Sequence, residues 1–267
     1  MNESSASSEV LARIPDLTGK VVLITGASTG IGAAAALAFG RNGSKVAINY
    51  NASREKAENV ANAIRESGGE AVLVQGDVTR SEAAAEIVAK TVATFGRLDV
   101  LINNAGALIK RVPVAEYTDE YLDAVLELNV KQVARFMREG AAQMRKQGGG
   151  GAIINLSSIA ARHGGGPGSV IYAAAKGFVA TATRGWAKEL VKDRIRVNAV
   201  SPGVILTPFH ERFSTAEQLA VMQAMIPMDR LGGPEECVGA FLYLASDQMS
   251  GYVTGQMIEV NGGQYMP

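Results

Sequence analysis

Tyr172 and Lys176 are separated by Ala173, Ala174 and Ala175. In a helix, a spacing of four puts both side chains on one face. A free phenol has a pKa of about 10 and exchanges its proton poorly near neutrality, but a neighbouring ammonium favours the phenolate. The pair is therefore a candidate acid/base unit, and the small alanines leave room for a ligand to approach. Upstream, the apolar run Ala152–Leu156 ends in Ser157-Ser158. A hydroxyl there can hydrogen-bond a reacting oxygen.

A second candidate lies near the beginning, in Thr25-Gly26-Ala27-Ser28-Thr29-Gly30-Ile31-Gly32. It follows an apolar run and opens an alanine-rich helical stretch. Glycines allow a sharp turn and close backbone approach, and a helix N-terminus offers free N–H groups and a positive dipole end to a pyrophosphate. In outline this is a dinucleotide site, with glycines spaced G-x-x-x-G-x-G. The next strand ends Ile48-Asn49-Tyr50-Asn51-Ala52-Ser53-Arg54. Selection of NAD usually places a carboxylate at that strand end, roughly twenty residues past the glycine turn. Tyr50 stands there instead. A 2′-phosphate could accept hydrogen bonds from Asn51 and Ser53 and be attracted by Arg54. NADP(H) is the favoured cofactor; nearby Glu55 keeps NAD(H) open.

The elements that must position these residues alternate in type. Short apolar runs, Val21–Ile24, Lys45–Asn49, Ala71–Val74 and Val100–Asn103, are interleaved with the amphipathic segments Ile31–Arg41, Arg54–Ser67 and Ser81–Phe95. A helical stretch from Asp119 to about Lys146 follows, then Ala152–Leu156, a helix from about Ser169 to Val191, Ile195–Val200 and a last strand near Met257–Val260. This alternation is the signature of βαβ units. Runs rich in Val, Ile and Leu without polar alternation suit strands covered on both faces. The predicted fold class is α/β, a single doubly wound Rossmann-type parallel sheet with helices on both faces. Ligands in such sheets sit beyond the carboxyl ends of the strands, where all these motifs fall. Gly148–Gly151 and Gly164–Gly168 read as loops.

At 267 residues, the chain has no compositional break that would divide it in two. Residues 1–18, polar and with four serines at Ser4, Ser5, Ser7 and Ser8, read as a flexible arm lacking a signal-peptide pattern. Residues 19–267 form the single domain. The 26 basic residues balance the 26 acidic ones, leaving no electrostatic footprint for nucleic acid or an anionic membrane. No stretch approaches the ~18 apolar residues of a membrane-spanning helix. Cys237 is the single cysteine, which excludes an intrachain disulfide and suits a cytoplasmic setting. The two histidines, His163 and His210, have no nearby ligand cluster and read as surface or loop residues, so no metal site is expected.

Taken together with Asn103-Asn104-Ala105-Gly106, these motifs resemble those of the short-chain dehydrogenases/reductases from about Leu17 onward. The overall likeness is to bacterial 3-oxoacyl-carrier-protein reductases and to glucose- or gluconate-type dehydrogenases. The resemblance implies hydride transfer between a nicotinamide and a carbonyl or secondary-alcohol carbon. Within it, Tyr172 exchanges the proton, Lys176 binds the nicotinamide ribose and assists Tyr172, Ser158 orients the substrate, and Asn129 organises a water relay from the lysine. Asn104, Ala105 and Gly106 line the cofactor, Asp77 and Val78 hold the adenine, and Ser201–Pro208, including Pro202, Gly203, Ile205 and Thr207, bind the nicotinamide end. One departure stands out: fourteen positions separate Ser158 from Tyr172, where the family commonly has thirteen, and the glycine loop Gly164–Gly168 accommodates the extra residue.

The same resemblance makes residues 208–228 a small substrate lid, with Phe209, Phe213, Met222 and Met225 as pocket lining, and implies a homotetramer built on the long helices. Arg138, Arg145 and Arg194 are candidates for meeting an acidic carrier protein. The substrate reading is a small carbonyl or alcohol compound, with 3-oxoacyl-type reduction and sugar or polyol oxidation both open. A redox-inactive nucleotide-binding protein is the alternative of a different class.

Overall fold

In the first strand, Val22 and Ile24 turn toward one helical layer and Leu23, between them, toward the other. Both faces of the sheet are covered, which is why the strand is apolar at every position. The computed structural model describes residues 13–267. Seven strands, β1 (Val21–Ile24), β2 (Lys45–Tyr50), β3 (Glu70–Gln75), β4 (Val100–Asn103), β5 (Gly151–Leu156), β6 (Ile195–Pro202) and β7 (Met257–Val260), pair in parallel in the order β3-β2-β1-β4-β5-β6-β7. The order reverses between β1 and β4, with Leu23 level with both Ala47 and Leu101. A crevice opens at that switch point, beyond the strands' carboxyl ends.

The helices are α1 (Gly30–Arg41), α2 (Arg54–Glu66), α3 (Ala83–Phe95), α4 (Asp119–Leu126), α5 (Gln132–Gln147), α6 (Ala160–His163), α7 (Val170–Leu190), α8 (Pro208–Phe213), α9 (Ala216–Ala224), α10 (Val238–Ala245) and α11 (Asp247–Ser250). Phe39 of α1, Ile64 of α2 and Phe241 of α10 anchor one layer. Ile87 of α3, Phe136 of α5 and Val179 of α7 anchor the other. The doubly wound sheet expected from the sequence is the one observed.

The structure departs from expectation at three places. The arm expected over residues 1–18 lies outside the described residues as far as 12. Beyond that, Pro15–Leu17 form a docked 3₁₀ turn: Leu17 is fully buried, and Asp16 accepts hydrogen bonds from Ser246 Oγ at 2.7 Å and the Gln248 N–H at 3.1 Å. One apolar side chain and one acid suffice to pin a segment that composition reads as arm. Gly151, expected in a loop, starts β5. The helix expected from Asp119 to Lys146 is interrupted by a π-helical turn, Glu127–Lys131, with Asn129 in it.

Candidate active site

The glycine turn is held by Asn104 and by two residues, Asn49 and Thr25, to which the sequence assigned no role of their own. Asn49, buried near the end of β2, accepts from the Gly26 N–H at 3.2 Å and donates to the Val74 and Gly76 carbonyls. Thr25 Oγ1 accepts from the Asn104 and Ala105 N–H groups, both at 3.0 Å. Asn104 Nδ2 returns hydrogen bonds to the Thr25 and Gly26 carbonyls. This reciprocal clasp fixes the β1 turn against the β4 end. A Cβ on Gly32 would lie 2.5 Å from Asn104 Nδ2 and 2.7 Å from the Gly26 carbonyl oxygen, so glycine is required by the close approach. Gly26 itself takes φ +64°.

Lys176 is 3% exposed, yet it has no carboxylate partner among the described residues; its Nζ donates to the Leu156 carbonyl at 2.7 Å. Ser157 Oγ donates to the Lys176 carbonyl at 3.0 Å, locking α7 to the end of β5. Burial pulls the ammonium down to about 8. The same burial pushes the Tyr172 hydroxyl up to about 12, while interaction with the Ser158 hydroxyl pulls the other way. Lys176 Nζ is 5.8 Å from the centre of the Tyr172 ring. At neutral pH the phenol keeps its proton and can donate it.

Asn129 is fully buried. Its side-chain amide donates to the Ala107 and Val125 carbonyls, and its Oδ1 accepts from the Ala107 N–H at 3.1 Å. An asparagine that bonds the carbonyl one turn back competes with the helical ladder, and the π turn is the local outcome. A Cβ on Gly106 would sit 2.9 Å from Asn129 Oδ1 and 3.2 Å from Lys176 Nζ. Glycine at 106 thus lets the β4 loop pass directly over both. Below it, Asn103 donates to Asn155 and Asn155 to Thr183, a buried polar chain tying β4, β5 and α7. No period or spacing singles out Thr25, Asn49, Asn155 or Thr183; for Asn49 and Asn155 a polar residue within an apolar strand is the available signal.

These elements enclose a cavity of about 920 Å³. It is lined by Ser158, Tyr172 and Lys176, and among the expected cofactor residues by Gly26, Thr29, Gly30, Ile31, Asn104, Ala105, Gly106, Pro202, Gly203, Ile205 and Thr207. Ser28, Gly32, Tyr50, Asn51, Ser53, Asp77, Val78 and Asn129 do not line it. Gly32 and Asn129 act from behind, through the contacts above. Tyr50 is 3% exposed and packs into the core with α1 and α2, because the last residue of β2 points into that layer; its side chain is not the open group the sequence suggested. Asn51 and Ser53 are exposed just beyond the end of β2. There Asp77 accepts from the Thr79 N–H, chiefly responsible for holding its carboxyl below the usual range, with Asn51 also bearing on it. Ser53 precedes α2 without capping it.

The fit to a dinucleotide rests on that cradle: glycines at 32 and 106 where a Cβ cannot go, a free helix N-terminus at Gly30, and a buried cation at the far end. Among the described residues no group of three His, Cys, Asp or Glu side chains could hold a metal ion. On the outer wall, Phe209 stands 5.8 Å from Tyr172 and 5.1 Å from Phe213, ring centre to ring centre. Met222 and Met225 complete the apolar side, with α8 and α9 covering the crevice. His163 and His210, expected at the surface or in loops, also line the cavity, as do Arg111 and Arg212, which sequence reasoning passed over.

A family model described as enoyl-(acyl carrier protein) reductase matches residues 26–264. An uncharacterized oxidoreductase of Thermotoga maritima is 42% identical over 250 residues, covering 92% of this chain and 97% of that protein. The L-rhamnose 1-dehydrogenase (NAD(P)(+)) of a Sphingomonas species is 40% identical, and the 3-oxoacyl-[acyl-carrier-protein] reductase of a Synechocystis species 39%, each covering 94% of this chain and 98% of the relative. A short-chain type dehydrogenase/reductase from Mycobacterium marinum superposes with a TM-score of 0.89 at 36% identity, covering 94% of this chain and 98% of that one. With its parallel sheet, its glycine cradle and the Tyr172–Lys176 pair at the cavity, the chain belongs to the short-chain dehydrogenase/reductase family of oxidoreductases.

Proposed function

We propose that the protein is an NADP(H)-preferring reductase of a 3-oxoacyl-type carbonyl compound, with Tyr172 as proton donor. The observation that carries the reading is Lys176: a buried ammonium without a carboxylate, held by the Leu156 carbonyl beneath the Tyr172 ring. The nicotinamide, when bound, supplies or takes up the hydride. Tyr172 gives its proton to the carbonyl oxygen, Ser158 hydrogen-bonds that oxygen, and Lys176 stabilises the phenolate that remains. Asn129 holds Ala107, and with it the β4 loop, against the cavity. The apolar wall of Phe209, Phe213, Met222 and Met225 suits an acyl chain better than a polyol. Sugar or polyol oxidation, favoured by the likeness to the rhamnose dehydrogenase, is the second reading.

The preference for NADP(H) is supported by the lack of a carboxylate at the end of β2 and by exposed Asn51, Ser53 and Arg54 beside it. Assembly into a homotetramer is supported by α7, where Val170 and Phe178 are exposed and Gly177 and Gly185 open to empty space, and by exposed Val191 just past its end. Arg138 and Arg145 are paired with Glu139 and Asp193, which leaves them less charge to offer an acidic carrier. A cytoplasmic setting fits the single buried cysteine, and no helix among the described residues is long and apolar enough to cross a membrane.

The test is incubation with NADPH and a panel of 3-oxoacyl thioesters and ketoses, following the absorbance of the reduced nicotinamide. Loss of absorbance with the thioesters is expected. Turnover confined to sugars would favour the second reading, and binding of NADPH without turnover on any carbonyl would favour a redox-inactive binding protein.

A further inference from the structure

The wall of the cavity that faces α8 has an unusual charge balance. Its ionisable lining includes Lys176, Arg111, Arg212, His163 and His210 and, among the described residues, no aspartate or glutamate. Arg111 is half-buried, and its donors are aimed at neutral groups: Nε donates to the Phe213 carbonyl and Nη1 to the Pro167 carbonyl, both at 3.2 Å. Its other amino group, Nη2, makes no hydrogen bond among the described residues. Neither Arg111 nor Arg212 belongs to an ion pair among those residues, although both line a cavity.

The two arginines also stand where two spaces meet. A recess of about 530 Å³ adjoins the catalytic cavity and shares Arg111, Arg212 and Phe213 with it. Ile109, Lys110, Ser214, Thr215 and Gln218 line the remainder of this recess, which again has no carboxylate among the described residues. Arg212 is exposed, with its guanidinium carbon 5.2 Å from the Phe213 ring. His210 adds no charge: burial and the nearby Arg111 lower its pKa, and its Nδ1 is 2.9 Å from Ser214 Oγ. The backbone entering Arg111 is strained, since Ile109, a β-branched residue, takes φ +68°. Two uncompensated guanidiniums at the junction of a reaction cavity and a polar recess make a fork for an anionic oxygen group.

We infer that Arg111, with Arg212 beside it, is a subsite for an anionic group, a carboxylate or a phosphate, carried by the carbonyl substrate at the end away from the reacting carbon. The inference rests on the redox reading of the cavity and narrows its substrate class. The carbonyl lies at Tyr172 and Ser158, the apolar middle against Phe209 and Phe213, and the anion at the arginines.

The test compares three ketones of similar length: an ω-carboxylate ketone, its neutral methyl ester and a phosphate-ester ketone. Wild-type protein is expected to favour one of the two anionic ketones over the ester at least tenfold in kcat/KM, and which one it favours identifies the anion. Arg111→Gln should raise KM for that ketone at least tenfold and leave kcat, and both parameters for the ester, within about twofold. Arg212→Gln, which breaks no hydrogen bond, should give a smaller rise of the same kind. Equal losses on charged and neutral ketones would mean that Arg111 only braces Pro167 and Phe213, and the subsite would be overturned. Should no ketone be reduced, the redox reading fails separately, and the subsite is then decided by binding. Malonate, but not malonamide, should raise Tm of the wild type and not of Arg111→Gln; absence of that difference overturns the subsite as well.

Discussion

Lys176 Nζ and the Leu156 carbonyl oxygen are 2.7 Å apart, and that hydrogen bond takes the place a carboxylate would occupy beside a buried ammonium. Burial without a counter-charge lowers the lysine to about 8, from an ordinary value of 10.5. The charged form is therefore lost as pH rises through about 8, while Tyr172 near 12 keeps its proton throughout. Reductive kcat/KM should be flat from pH 6 to 7.5 and fall above about 8. Stability has the opposite slope, because the unfolded chain binds the extra proton between about 8 and 10.5, so folding is favoured as pH rises across that window. A Lys176→Met variant should lose the alkaline fall in whatever activity it retains, together with that stability slope in urea titrations. A pH profile unchanged in the variant would remove Lys176 from the assignment.

Tyr172→Phe deletes one hydroxyl and keeps the ring that packs 5.8 Å from Phe209. General acid assistance is typically worth about 10²–10⁴ in rate. Turnover should fall by that factor, while NADPH affinity measured by calorimetry stays within about threefold. A variant with near-normal kcat would assign the proton to another group.

That Tyr172, Lys176, Ser158 and the glycine turn meet at one cavity was legible because each motif needs particular residue types at a fixed spacing on one local element. The sheet was legible for the related reason that strands covered on both faces leave unbroken apolar runs. What could not be read depends on which distant segments meet. Arg111 acquires its place from carbonyls at 167 and 213, and Asn49 from the turn at Gly26, 23 positions earlier. Asn129 owes its place against the β4 loop to a hydrogen bond to Ala107, a partner that helical periodicity does not reveal. Tyr50 misled because its position along the chain matched an acid's, whereas the direction of its side chain is set by the packing of α1 and α2.

Gly32→Ala would bring a methyl group to 2.5 Å from Asn104 Nδ2 and 2.7 Å from a backbone oxygen that cannot swing away. Overpacking of this kind costs roughly 1–3 kcal/mol. The turn should open at the expense of the Asn104 clasp, lowering Tm by several degrees and weakening NADPH binding at least tenfold. Gly239→Ala, in α10 at a position with empty space around it, is the control and should change neither cofactor binding nor Tm by much.

Assembly tests the outer face of α7. Phe178 is 42% exposed, with its ring 6.2 Å from that of Trp186. Ala173 and Ala175 are buried within their own subunit, so the face available to a partner is the one bearing Phe178 and Gly185. Light scattering at micromolar concentration should give the mass of four chains. Phe178→Glu, which puts a charge on that face, should shift the mass to two chains or one. A wild-type monomer would count against the tetramer and leave the chemistry of the cavity untouched.

The cofactor prediction turns on where a carboxylate could act. Tyr50 occupies the expected position but is buried, so an acid placed there would be desolvated and would disturb the core before it met a ribose. Asn51, the next residue, is exposed, and its side chain already reaches toward Asp77. Ser53 leaves its hydroxyl unused by α2, and Arg54 shares its charge with Glu58 at 2.9 Å in a fully exposed pair, a weak restraint that a phosphate can replace. The wild type should therefore show a kcat/KM for NADPH at least tenfold above that for NADH. Asn51→Asp should reverse the order by repelling the 2′-phosphate and offering an acceptor to the free ribose hydroxyls, and Arg54→Ala should weaken NADPH alone by a few-fold. Equal use of both cofactors by the wild type, unaltered by Asn51→Asp, would show that the end of β2 does not choose between them.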